Sequence, residues 1–154
     1  MKDIKLHIKA VLRQVLYIAP MLWILELFQN WLYHAATGNW GWVYPGSQYH
    51  WFSFQTLGNW AMSVVVIYIL YAALLRPKKA HWIVKVLVVA LVGFVLEWVN
   101  GYLYLALTGE YLFLWEQSAF RFIDYIAFPM CIFNAVVYHV MSSVLVNLHV
   151  DTSN

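Results

Sequence analysis

Two glutamates lie inside segments that are otherwise apolar, and polar residues follow each of them at the same spacing. The stretch LELFQNWLYHAATGNW contains Glu26, and a later stretch, LEWVNGYLYLALTGEY, contains Glu97. Positions three, four and seven residues after each glutamate share its helical face. They hold Gln29, Asn30 and Tyr33 in the first stretch, and Asn100, Gly101 and Tyr104 in the second. Each stretch therefore predicts a helix with one polar stripe.

Paired carboxylates in apolar segments could bind a cation or a polar ligand, carry a proton, or act as acid and base in a reaction. Two buried carboxylates close together cannot both stay ionised without a compensating cation. A purely structural alternative is a hydrogen-bonded core that holds the helices together. Because ionisable residues within a membrane are costly, we predict a ligand, ion or proton site at Glu26 and Glu97. Further polar residues expected to face inward are Asn59, Ser63, Asn134, Tyr138 and Ser142.

The composition is that of a membrane protein, since 64% of the residues are hydrophobic and only 10% are charged. A length of 154 residues predicts one integral membrane domain, residues 1–154, without a soluble module. We predict an all-α fold with four transmembrane helices at Gln14–Ala36, Leu57–Leu75, Val86–Leu107 and Tyr125–Val146. Membrane lipids are the expected partners, a homodimer or a larger membrane complex stays open, and no nucleic acid is expected.

Basic residues are concentrated in two regions, which predicts the orientation of the helices because such residues mark the cytoplasmic side. They precede the first segment or separate the second from the third, at Lys2, Lys5, Lys9, Arg13, Arg76, Lys78, Lys79 and Lys85. The other two connections contain only Arg121. Both termini are therefore predicted to be cytoplasmic, in the plasma (inner) membrane.

The two halves of the chain are similar in sequence. The shift along the chain that carries Glu26 onto Glu97, which we call the repeat offset, also carries the first and second segments onto the third and fourth. Seven of the fourteen residues from Leu25 to Gly38 are identical to those from Leu96 to Gly109. This similarity predicts two tandem two-helix repeats, about 11–76 and 82–147. Because each repeat crosses the membrane twice, a pseudo-twofold axis along the membrane normal should relate them and bring the two glutamates to equal depth.

Aromatic residues are abundant near the predicted outer ends of the helices, where amphipathic rings often form a belt at the headgroups. We assign to this belt Trp31, Trp40, Trp42, Trp51, Trp60, Tyr102, Tyr111 and Trp115. The two outer connections are long, and each is predicted to contain a short interfacial helix, capped by Ser47 in the first and by Ser118 in the second. Such helices could cover a cavity between the repeats.

Other chemical motifs are weak in this sequence. The six histidines show no metal-ligand spacing, and the single cysteine, Cys131, has no partner for a disulfide. No phosphate-binding glycine loop, nucleophile elbow or CxxC motif occurs. We therefore expect no metal and no cofactor.

The pattern of residues resembles a family of small four-helix membrane proteins assigned as type IV ABC-transporter components, which also occur as uncharacterised eukaryotic transmembrane proteins. Its first repeat has a mid-helix glutamate and an Asn-Trp and Pro-Gly loop, which match Glu26, Asn39, Trp40, Pro45 and Gly46. Its second repeat has a glutamate near a glycine, a Trp-Asp-Tyr-Ser element and a proline, which match Glu97, Gly101, Trp115, Ser118 and Pro129. The resemblance implies a role in transport.

The chain departs from the family pattern at several positions. Glu116 and Gln117 replace the Asp-Tyr of the family, and Tyr138 lies near a position that is acidic in other members. Chemistry that requires more than two carboxylates is therefore not expected.

Two functions of different classes are consistent with the sequence. In the first, the chain binds or conducts a small ligand, ion or proton at the paired glutamates. It could do so as a permease-like subunit of a larger assembly. In the second, it is a membrane enzyme of the isomerase or cyclase type acting on an isoprenoid, sterol or other lipid, with Glu26 and Glu97 as acid and cation stabiliser. Aromatic side chains favour the enzyme because their faces stabilise cations.

Overall fold

The computed structural model of the chain describes residues 2–71 and 80–150, with side chains over 7–71 and 80–145. It contains four α-helices: α1 (Lys2–Thr37), α2 (Gln55–Leu70), α3 (Trp82–Thr108) and α4 (Ala127–Val150). The basic residues Arg76, Lys78 and Lys79 lie outside the described residues, as do the side chains of Lys2 and Lys5.

Three helices are long and apolar enough to cross a membrane, over His7–Thr37, Trp82–Thr108 and Ala127–Leu145. They indicate an all-helical membrane protein, and the part of the chain that the structure describes contains no strand beyond isolated bridges. α2 has 16 residues, and at 1.5 Å per residue it is about 24 Å long, shorter than a hydrocarbon core of roughly 30 Å. Since residues 72–79 are not described, a fourth crossing stays a prediction.

α1 begins earlier than the sequence pattern indicated, at Lys2 rather than near Gln14. Residues 2–19 contain no glycine or proline and include three leucines and three lysines, which favour a helix, so the helix continues through them. At their other ends, α1 is followed by Gly38 and α3 by Gly109. Both glycines adopt the left-handed conformation, with φ of +78° and +77°. Only glycine adopts this conformation without strain, so the two helices end in the same way.

The helices form a closed arrangement in which α1 packs against α2 and α4, and α3 packs against α4 and α2. The core between them is aliphatic, with Ile18, Leu22, Val64 and Val89 at 3% exposure or less. A second, aromatic core lies where the two long connections meet the bundle. We call these connections loop 1 (residues 38–54) and loop 2 (residues 109–126).

The prediction of short interfacial helices in the loops is wrong, because both loops consist of turns in the structure. Their serines stabilise these turns instead of capping helices. The Ser47 hydroxyl accepts from the Tyr49 amide and donates to the Phe52 carbonyl. The Ser118 hydroxyl accepts from the Phe120 amide and donates to the carbonyl of Ile123. Serine side chains favour such local bonds to the backbone.

The two loops are joined by a short antiparallel bridge between Val43 and Leu114. Each residue donates its amide to the carbonyl of the other, over 2.9 Å and 2.8 Å. The loops therefore form one connected cap over one end of the helices.

Candidate functional site

Loop 1 turns back between the helices and is held there by one side chain of α1. The Asn30 amide is 1% exposed; its Oδ1 accepts from the backbone amides of Gly41 and Trp42, and its Nδ2 donates to the Trp42 carbonyl. Asn30 lies seven residues before the end of α1 at Thr37, so the loop descends about 10 Å along the helix. Irregular backbone at such depth requires partners within the protein, and Asn30 supplies three.

A cavity of about 70 Å³ lies between the helices and under the cap. Its polar lining consists of Glu26, Gln29, Asn59, Ser63, Glu97, Asn134 and Tyr138. Its aromatic lining consists of Trp42, Trp60, Phe113 and Trp115. The two glutamates of the polar stripes therefore line one common cavity.

Glu26 is bound by two donors from the N-terminal part of the chain. The Tyr44 hydroxyl donates to Oε1 over 2.7 Å, and the Trp60 indole donates to Oε2. Tyr44 accepts in turn from the Trp42 indole over 2.8 Å. Burial, followed by the charge of Glu26, raises the pKa of the Tyr44 phenol well above its ordinary value. Tyr44 therefore remains a neutral hydrogen-bond donor.

Glu97 is bound less completely than Glu26. The Trp115 indole donates to Oε1 over 3.1 Å, and within the described residues no donor binds Oε2. Cys131 lines the cavity at the position onto which the repeat offset carries Trp60. A thiol is a weak hydrogen-bond donor compared with an indole. Glu97 thus retains an oxygen that a bound group can contact.

Amides and hydroxyls link the helices around and below the carboxylates. Gln29 donates to Asn134 over 2.9 Å, which joins α1 to α4. Asn100 donates to Ser63 over 3.3 Å, which joins α3 to α2. At the other end of the cavity, the Tyr138 hydroxyl donates to Gln14 over 2.6 Å, and the Gln14 amide donates to Ser142 over 3.1 Å. These bonds fix the cavity walls.

The structure brings five of the nine predicted site residues to the cavity, namely Glu26, Gln29, Glu97, Asn134 and Tyr138. The other four are buried or packed elsewhere. Asn30 holds loop 1, and Asn100 binds Ser63 outside the lining. Tyr33 lies beside Gly41, and Tyr104 packs against the aromatic core of the loops. A stripe that covers two turns of helix thus extends from the cavity into the cap.

Assigning Trp42, Trp60 and Trp115 to a membrane belt is wrong, because all three line the cavity. Trp42 and Trp115 are 4% and 5% exposed, and their rings lie 5.0 Å apart. A signal for this was present in the sequence, since Tyr44 and Trp115 each follow a glutamate by 18 residues. Trp31 is 54% exposed and forms an outer cluster with Trp40 and Trp51, as a belt would require.

No three histidine, cysteine, aspartate or glutamate side chains come together as metal ligands in the described part of the chain.

In comparisons with protein-family models, with curated proteins and with solved structures, no match to this chain was found. The resemblance to type IV ABC-transporter components therefore rests on residues of this sequence alone and stays a prediction.

Proposed function

We propose that the chain consists of two tandem two-helix repeats related by a pseudo-twofold axis along the membrane normal. Contacts that recur at the repeat offset support this organisation. Tyr44 binds Glu26 as Trp115 binds Glu97, and Gln29 binds Asn134 as Asn100 binds Ser63. The loop bridge joins Val43 to Leu114, which are themselves equivalent positions of the two repeats.

We propose that this protein binds a small ligand, ion or proton in the cavity between the repeats, as a permease-like component of the membrane. The observation that carries this proposal is that two acidic residues, Glu26 and Glu97, line one cavity between the helices. A hydrogen-bonded scaffold would bury its polar atoms against one another. Glu97 instead leaves an oxygen without a donor among the described residues, which favours a binding site.

The accessibility of the site can be tested without knowing its ligand, using a small membrane-soluble carbodiimide. The acid O–H of a carboxyl group adds across one C=N bond of N,N′-diisopropylcarbodiimide to give an O-acylisourea. Where water is excluded, its acyl group then moves from oxygen to nitrogen, which leaves a stable N-acylurea of the same mass. We expect mass spectrometry to locate this adduct on Glu97 and to find none in the Glu97→Gln variant, which keeps the shape of the side chain. Glu110 and Glu116 lie exposed in loop 2 and serve as controls for carboxyl groups outside the cavity.

The thermal unfolding curves of the wild-type protein and the Glu97→Gln variant should agree closely, since glutamine keeps an oxygen that can accept from the Trp115 indole. A folded protein that forms no adduct at Glu97 or Glu26 would show that the cavity is closed to ligands, and the proposal would be abandoned.

A predicted topology belongs to this proposal, with both termini cytoplasmic and the cap on the outer face. Gly46 in loop 1 and Gln117 in loop 2 are exposed. In a Cys131→Ala background, we expect Gly46→Cys and Gln117→Cys to react with a membrane-impermeant maleimide in intact cells. Lys2→Cys and Lys79→Cys should react only after permeabilisation. Reaction of the Lys79→Cys variant in intact cells, without reaction at position 46, would reverse the orientation.

A membrane enzyme acting on an isoprenoid, sterol or other lipid is the second candidate. The aromatic rings around the two acids support it, because Trp42, Trp60 and Trp115 present faces that stabilise carbocations. Conversion of such a lipid by the purified protein, lost in the Glu97→Gln variant, would favour this candidate over simple binding.

A further inference from the structure

We propose that the ligand of the cavity is a small alkylammonium cation, held by the free oxygen of Glu97 and by the surrounding aromatic faces. This inference rests on the proposed function, because it names the chemical class of the ligand at that same site.

The charge of the cavity lining favours a cation. Of the lining residues, Glu26 and Glu97 are acidic, and no lysine, arginine or histidine lines the cavity within the described residues. Toward the other end, His139 and Lys85 both contact Tyr71, whose ring packs against Tyr138 and separates them from the cavity lining. Carboxylates that share a poorly hydrated space repel each other, and a positive ligand between them relieves this repulsion.

The aromatic lining favours an organic cation over an inorganic one. Trp42, Trp60, Phe113 and Trp115 line the same space as the carboxylates. Weakly hydrated ammonium groups bind well to such faces, particularly those of tryptophan. A metal ion would instead need several free oxygen ligands. Both oxygens of Glu26 already accept hydrogen bonds, from Tyr44 and Trp60. The side-chain oxygen of Asn134 accepts from Gln29.

The difference between the two carboxylates assigns them different roles. Both carboxylate oxygens of Glu26 accept hydrogen bonds, which hold the side chain in place, so its contribution to the binding of a cation is electrostatic. Glu97 has one donor, and Cys131 in place of a second tryptophan leaves its other side open. Glu97 is therefore the direct counter-ion of the bound cation, and Glu26 positions the aromatic wall through Trp60.

Choline and 3,3-dimethylbutan-1-ol provide a matched pair of probes, because they have the same shape and only choline is charged. The rate of carbodiimide labelling at Glu97 is measured in the detergent-purified protein with either probe, or with sodium chloride at equal ionic strength. We expect saturating choline to slow the labelling at least about tenfold, while the alcohol and the salt leave it unchanged. Equilibrium dialysis with radiolabelled choline measures binding independently of the label.

The Phe113→Leu variant tests the aromatic contribution separately, because Phe113 makes no side-chain hydrogen bond that could be lost and leucine keeps an apolar wall. Choline affinity is expected to fall about tenfold in this variant. Equal protection by the alcohol, or protection by sodium chloride alone, would overturn the alkylammonium assignment and leave the binding site in place. Labelling that choline does not slow, with no choline retained in dialysis, would also overturn it. Absence of labelling at both glutamates in the folded protein would reject the proposed function itself, and with it the assignment of its ligand.

Discussion

Replacing Asn30 by alanine should destabilise the protein by about 3 kcal/mol or more, a large effect for one amide. The side chain is 1% exposed and bonds to two backbone amides and one carbonyl of loop 1. Alanine would leave these backbone groups without partners, and each buried polar group left unpaired costs about 1–3 kcal/mol. The free energy of unfolding can be measured by titration with SDS in mixed micelles.

Asn100→Ala is the matched control, because Asn100 is also a buried amide of a long helix but makes a single 3.3 Å bond to Ser63. Its cost should be about 1 kcal/mol. If the two alanine variants were equally stable, Asn30 would not be what holds loop 1 between the helices.

Gly101→Ala should also be strongly destabilising, by about 1–3 kcal/mol or more, although it adds only one methyl group. A Cβ atom at this position would overlap Cδ1, Cγ and Cβ of Phe122. Phe122 is fully buried and packs against Tyr102 and Phe113, so its ring has no free space into which it can move. The same SDS titration applies, with near-ultraviolet circular dichroism to follow the packing of the aromatic rings.

Gly93→Ala, on the same helix, controls for the general effect of adding a methyl group to α3. Nothing lies within 4 Å of the corresponding Cβ position, so stability should stay the same or rise by up to about 1 kcal/mol, because alanine favours a helix more than glycine does. Phe122→Leu combined with Gly101→Ala should recover part of the loss, because a smaller side chain relieves the overlap. Independent, additive effects of the two changes would argue against this close contact.

Much of the helical architecture could be predicted from composition and periodicity. Long apolar segments predicted α1, α3 and α4, since only helices satisfy the backbone in such sequences. The start of α1 at Lys2 was missed because hydrophobicity marks the membrane span and not the helix, which continues into polar residues. The loop turns were missed because their serines and aromatics occur equally often in interfacial helices.

The carboxylates could be predicted as a pair from their spacing, and both line the cavity in the structure. The donors that bind them could not be predicted from the same pattern. Trp42 and Trp115 lie in connections rich in aromatic residues, where sequence alone does not distinguish a belt from a loop that folds inward. Loop 1 folds inward because Asn30 bonds to its backbone, and these bonds are visible only in the structure.

The polar stripe was informative about direction but not about partners. Asn30 and Tyr33 share the helical face of Glu26, as expected, yet their neighbours are loop residues and not the cavity. A helical pattern indicates which side of a helix turns inward. Which residues a side chain of the stripe contacts depends on how far the loop extends between the helices.

Each carboxylate finds its hydrogen-bond donors in its own half of the chain, and this bears on how the protein enters the membrane during synthesis. Tyr44 and Trp60 lie 18 and 34 residues after Glu26, and Trp115 lies 18 residues after Glu97. In the proposed arrangement of two helix pairs, the first pair could therefore leave the insertion machinery with its acidic group already hydrogen-bonded by its own side chains, before the second pair has been translated. The long-range bonds, such as the bridge from Val43 to Leu114, are needed only when the two pairs meet.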